Sequence, residues 1–116
     1  MRRAIALGLV LALATCDSIT GSDDPWTVSG IGNNVLDRPS SVERIRVTGS
    51  YAGEYQNFIV ECGRRGEENW DLVVNEILGT RSESTQYDGT HLLARGCNPI
   101  IVNNSNGVAW SLTEVR

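Results

Sequence analysis

Apolar side chains in this chain return at every second position, a period that fits a sheet and not a helix. In SVERIRVTGSY, residues 41–51, Ile45, Val47 and Tyr51 share one parity while Arg44, Arg46 and Thr48 share the other. Successive side chains of a strand point to opposite faces, so this run is expected to turn one face to a core and one to water. QNFIVEC, residues 56–62, repeats the pattern with Phe58, Val60 and Cys62 inward and Asn57, Ile59 and Glu61 on the other face. NWDLVVNEIL, residues 69–78, aligns Trp70, Leu72, Val74 and Leu78. Its second face carries Val73 and Ile77, which predicts a central strand partly covered on both sides. THLLARGC, PIIVN and GVAWSLTEV supply three further strands, the last with Val108, Trp110 and Leu112 in line, and WTVSGIG and NNVLD add two short ones. PIIVN, flanked by asparagines, reads as either an edge or a well-buried strand.

Glycines punctuate these runs where turns need positive φ or sheets need a bulge. Asp88-Gly89 and Asn106-Gly107 are turn dipeptides, the second between PIIVN and GVAW as a hairpin requires. Long amphipathic crossover helices, which a parallel α/β fold needs, are missing from the pattern. The expected fold is therefore all-β: one small antiparallel β-sandwich, with immunoglobulin-like and jelly-roll-like topologies both open.

The first sixteen residues are organised differently. Arg2 and Arg3 precede an apolar run over residues 4–14, followed by small residues, which is the layout of an export signal. Such a run makes a helix of roughly 16 Å, too short for a lasting transmembrane span. Leu13-Ala14-Thr15-Cys16 resembles the bacterial lipobox, in which the cysteine becomes the first residue and carries the lipid. Ala12-Leu13-Ala14 is equally an A-x-A site that would release a soluble chain beginning at Thr15. Cysteine arithmetic favours lipidation at Cys16, because Cys62 and Cys97 then remain as an even pair in an oxidising compartment. The expected organisation is a signal peptide over 1–15, a polar tether over 16–25 and a β-sandwich domain over 26–116. That places the protein outside the cytoplasm on a bacterial membrane, with secretion in soluble form as the alternative.

Cys62 and Cys97 end two predicted strands and are expected to form a disulfide. A metal pair fails on ligand count, since His91 is the only histidine and no short C-x₂₋₄-C spacing exists. No metal or other cofactor is expected. Asp23 and Asp24 lack the spaced oxygen-rich loop of a calcium site and read as linker charge.

The chain carries 10 Lys plus Arg against 14 Asp plus Glu, and every basic residue is an arginine. Without Arg2 and Arg3 the balance is eight against fourteen, a formal charge of −6. An acidic domain with no basic run interleaved with aromatics is a poor nucleic-acid surface, and none is expected as a partner.

Catalysis finds thin support. His91 would need an orienting carboxylate such as Asp88 and a nucleophile from Ser82, Ser84 or Thr85, residues that occur together because SESTQYDGT is polar. Glu61 and Glu76 could face each other as glycoside hydrolysis requires, but among fourteen acids chance supplies such pairs. A small hydrolase is the third reading and a non-enzyme is expected.

A binding module is the leading one. Tyr55 and Tyr87 lie in polar stretches where a ring has little apolar company, near Gln56 and Asp88, and Trp26 opens the domain. Exposed rings beside amides and carboxylates suit a sugar, which offers an apolar face and oriented hydroxyls. Tyr55, Tyr87, Trp26, Gln56 and Asp88 are the expected ligand residues, for a carbohydrate or another cell-surface ligand. The runner-up is a structural or protein–protein assembly domain using an exposed strand edge. Convergence of Tyr55, Tyr87 and Trp26 on one exposed patch would favour the first.

Overall fold

The computed structural model of the chain describes residues 24–63 and 70–116; the expected signal peptide, the expected lipidation site Cys16 and most of the expected tether lie outside the described residues. Among the described residues eight strands form: β1 (Thr27–Ile31), β2 (Asn34–Leu36), β3 (Arg44–Ser50), β4 (Gln56–Cys62), β5 (Asp71–Leu78), β6 (Gln86–Leu92), β7 (Ile100–Asn103) and β8 (Ala109–Glu114). They make two four-stranded sheets, ordered β1-β8-β3-β6 and β2-β7-β4-β5, with every pairing antiparallel. The pairings are nested. β1 takes β8, β2 takes β7, β3 takes β6 and β4 takes β5, as though one long hairpin had been folded over so that successive rungs alternate between sheets.

Alternation in the sequence builds the core between the two sheets. Ile45 and Val47 of β3 and Trp110 and Leu112 of β8 come from one; Phe58, Val60 and Cys62 of β4, Val74 and Leu78 of β5, and Ile100 and Val102 of β7 come from the other. Each fully buried aliphatic or aromatic side chain is worth about 1.5–3 kcal/mol relative to exposure, so this shared layer holds the sheets together. The buried indole and serine hydroxyl are satisfied. Trp110 donates from Nε1 to the Gly32 carbonyl at 2.7 Å, and Ser105 accepts from the Ile59 amide at 3.0 Å while donating to the Asn103 carbonyl at 2.8 Å.

The Cys62–Cys97 disulfide forms as expected, with Cα atoms 5.5 Å apart and both residues buried. Beside it Arg38 is held by backbone: Nε donates to the Val42 carbonyl at 2.8 Å, and Nη1 to the carbonyls of Ala94 and Cys97 at 2.8 and 3.0 Å. One end of the domain thus consists of the loops 37–43 and 93–99 with the disulfide. Trp26 belongs to the same end, since Glu114 donates its amide to the Trp26 carbonyl at 2.7 Å and Val115 donates to Arg44 at 2.9 Å.

Four expectations need correction. Leu72 was expected inside with Val74 and Leu78, but it is 56 % exposed, and Trp70 is 37 % exposed. The register slips between Val60 and Glu61: Val60 stands opposite Val74 and Glu61 opposite Leu72, so Val73 is an extra residue and the parity inverts before it. Trp70 lies instead over Gly63, where any side chain would collide with its ring. Strand β5 was expected to be central, yet it pairs with β4 alone and is an edge; of its second apolar pair, Ile77 is exposed while Val73 packs against the core. The strand expected over THLLARGC shifts as well. β6 begins at Gln86, within the stretch read as a polar loop, and Asp88-Gly89 is mid-strand and not a turn. Gly89 is required there because its neighbours on the same face, Tyr87 and His91, close over it to share a hydrogen bond of 2.7 Å. PIIVN resolves to a central strand, β7, with Ile100 and Val102 wholly buried.

Candidate functional site

The end opposite the disulfide carries the loops 51–55, 79–85 and 104–108. Two of them are stitched together by backbone: Thr80 donates to the Gly53 carbonyl at 2.8 Å, Arg81 to Glu54 at 3.1 Å, and Tyr51 to Thr85 at 2.9 Å. Gly79 makes this junction possible. Its φ of 138° is open to glycine and costly for other residues, and a Cβ there would strike the Glu54 carbonyl. Within loop 79–85, the Ser82 hydroxyl donates to the Ser84 carbonyl at 2.7 Å and the Ser84 hydroxyl to Gln86 at 2.7 Å. The loop is therefore closed on itself by serine hydroxyls before any ligand arrives.

Between this loop and the outer edge of β5 lies a cleft of about 500 Å³ lined by Tyr55, Asn75, Glu76, Ile77, Leu78, Ser82, Glu83, Ser84 and Gln86. Tyr55 and Ile77 are each 56 % exposed and supply an apolar wall. Asn75, Glu76, Glu83 and Gln86 supply amide and carboxylate groups around it, and a shallow depression shared by Tyr55, Gln56, Asn57 and Ile77 continues the cleft across the sheet. Register explains the company: Gln56 stands opposite Leu78 and Asn57 opposite Ile77, so the residues after Tyr55 lie beside the end of β5. Gln56 is itself anchored, donating from Nε2 to the Asn104 carbonyl at 3.1 Å. A half-exposed ring with fixed amides and acids beside it can stack on one face of a ligand and bond to its periphery.

The other expected ligand residues go elsewhere. Tyr87 is on the inner face of β6, where its ring meets the edge of Phe58 at 6.1 Å between centroids and stacks on His91. Burial pushes its hydroxyl pKa up, with smaller contributions from the carboxylates of Glu76 and Asp88. Asp88 points to the opposite, outer face of β6 and is held by Arg46, whose Nε donates to it at 2.9 Å; that bond keeps its carboxyl below the usual range. Trp26 packs against the core at the far end of the domain, its amide donating to Glu114 at 3.1 Å. Tyr55 and Gln56 stay together; Tyr87, Asp88 and Trp26 do not join them. Sequence reasoning missed Asn75, Glu76, Ile77 and Gln86, whose common position depends on the β4–β5 register and on the fold of loop 79–85.

The sequence's catalytic combinations are separated likewise. His91 bonds to Tyr87, while Asp88 lies on the other face of the strand. Glu61 faces outward from β4, within 3.5 Å of the Asn103 amide, whereas Glu76 stands opposite the core residue Phe58. Among the described residues no group of three or more His, Cys, Asp or Glu converges as metal ligands would.

Comparison with protein-family models, curated proteins and solved structures returned no match.

Proposed function

We propose that this chain is a non-catalytic, extracytoplasmic binding module of jelly-roll topology that takes a carbohydrate in the Tyr55 cleft. The topology is read from the nested pairing, in which eight strands alternate between two sheets as a jelly roll's do. Fold alone does not carry the activity; the site does.

The observation that carries it is the cleft itself: an exposed tyrosine and isoleucine ringed by Asn75 and Glu76 of β5, Gln86 of β6 and Glu83 of a loop closed by its own serine hydrogen bonds. A preformed wall of this kind spends little conformational entropy on binding. Its position supports display on a surface. Trp26, where the domain begins, is at the disulfide end, so a tether to a lipidated Cys16 leaves the Tyr55 cleft pointing away from the membrane. Display in many copies would turn weak individual contacts into useful avidity.

The test is a glycan array followed by calorimetry with the purified protein and its Tyr55→Ala variant. Saturable binding lost in the variant, with unfolding unchanged, supports the reading; absence of binding to any glycan overturns it.

A second reading, surface assembly, draws on a different feature. Val35, Leu72 and Ile77 are more than half exposed on the β2-β7-β4-β5 sheet, and β5 offers an unpaired edge. Concentration-dependent oligomers in sedimentation, abolished by Ile77→Lys, would favour it.

A further inference from the structure

Arg38 is 9 % exposed and is the one charged residue in the core of the disulfide end among the described residues. Its guanidinium is fixed in place by the carbonyls of Val42, Ala94 and Cys97, and Nη1 also reaches the Cys97 Sγ at 3.1 Å. These bonds use Nε and Nη1. Nη2 has no acceptor among the described residues, although a buried donor left unpaired is costly and a buried charge more so.

The free side of Arg38 borders a cleft of about 410 Å³ whose other walls include Ser40, Glu43, Leu92, Ala94 and Arg95. Arg95 makes no ion pair among the described residues, so the cleft holds two cationic groups against the single carboxylate of Glu43, in a chain whose net charge is −4. Burial pushes the pKa of Arg38 down, and the nearby carboxylate of Glu43, which does not bond to it, offsets part of that. The arrangement is an anchored, partly desolvated cation with one donor group outside those anchoring bonds, an exposed second cation and a hydroxyl nearby. A tetrahedral oxyanion accepts hydrogen bonds from several directions and suits such a set, with arginine as the preferred partner.

We propose that the Arg38 cleft binds a phosphate group, held by Nη2 of Arg38 with Arg95 and the Ser40 hydroxyl completing the contacts. The site stands apart from the Tyr55 cleft, at the other end of the domain. Trp26, where the domain begins, lies at this same end, so in a chain anchored at Cys16 the cleft faces the bilayer surface and a phospholipid headgroup is the phosphate within reach. A free phosphate is the other source of the same chemistry.

The experiment titrates the purified full-length protein with inorganic phosphate at constant ionic strength, following backbone amides and the Arg38 side-chain signals by NMR, with chloride as control. The expected result is saturable shifts confined to residues 38–43 and 92–97, weakened at least threefold by Arg95→Gln, whose exposed side chain leaves folding intact. Co-sedimentation with phosphatidylglycerol vesicles, using phosphatidylcholine vesicles as the neutral comparison, then identifies the source. Phosphate shifts with preferential sedimentation on the anionic vesicles assign the headgroup, and the same shifts without sedimentation assign a free phosphate. Shifts that fail to saturate, that chloride reproduces, or that Arg95→Gln leaves unchanged overturn the proposal.

Discussion

Removing the Cys62–Cys97 disulfide is the perturbation whose size follows most directly from the chain. The bridge spans a sequence separation of 35 residues. In the chain-entropy description, closing a loop of that length withholds about 4 kcal/mol of freedom from the unfolded state. Domains of this size are stable by roughly 5–15 kcal/mol, so the double variant Cys62→Ala/Cys97→Ala should remain folded but with a large part of its margin gone. The native end keeps most of its other ties. Arg38 still bonds to the backbone carbonyls of Val42, Ala94 and Cys97, and Cys62 still lies in register between Asp71 and Ile100. The assay is equilibrium unfolding in urea, oxidised wild type against the double variant. With a slope of about 1–2 kcal/mol/M, the midpoint should fall by roughly 2–4 M, and the slope should rise because the open chain exposes more surface. A loss below about 1 kcal/mol with an unchanged slope would refute the reasoning, since the unfolded chain would then have gained no freedom.

Other perturbations test separate parts of the structure. Gly49→Ala places a Cβ 2.5 Å from the Phe58 ring and should cost about 1–3 kcal/mol of stability, with Phe58→Leu in the same chain recovering part of it in a double-mutant cycle. Arg38→Met leaves the carbonyls of Val42, Ala94 and Cys97 without their donor and should destabilise by about 3 kcal/mol or more, measured by urea midpoint. Asp88, bonded by Arg46, and Glu114, bonded by the Trp26 amide, both have lowered pKa values, so their contribution is present above the ordinary carboxylate range and lost as pH falls through the lowered values. The pair Asp88→Asn/Glu114→Gln should therefore lower the urea midpoint at neutral pH, with the difference from wild type shrinking as pH falls below the ordinary carboxylate range; a difference that does not change with pH argues against the linkage.

Much of the fold was legible in the sequence because alternation is local. Ile45, Val47, Phe58, Val60, Trp110 and Leu112 fall inside as their parity requires. Reasoning from parity failed at β5, where a bulge opposite Val60 and Glu61 turns Leu72 outward, because a bulge depends on the partner strand. It failed again at β6. The inner face of that strand carries Tyr87, Gly89 and His91 and not aliphatics, since an edge strand covers the rim of the core, and its polar composition resembled a loop. The site was half legible. Tyr55 and Gln56 were identified from their polar surroundings, but Ile77, Asn75 and Gln86 reach them only through antiparallel pairing and the loop 79–85. Arg38 gave no signal, because a lone arginine in a loop looks solvent-exposed until the carbonyls around it are known.

Binding in the Tyr55 cleft is tested most directly by titrating the isotopically labelled protein with the strongest array ligand and mapping the amide shifts. A carbohydrate held as proposed should move Tyr55, Gln56, Asn75, Ile77, Ser84 and Gln86 together, saturably, and Tyr55→Ala should weaken binding by at least tenfold, which corresponds to about 1.4 kcal/mol. Saturable shifts centred elsewhere on the domain, or an affinity indifferent to Tyr55→Ala, would contradict the assignment of this cleft.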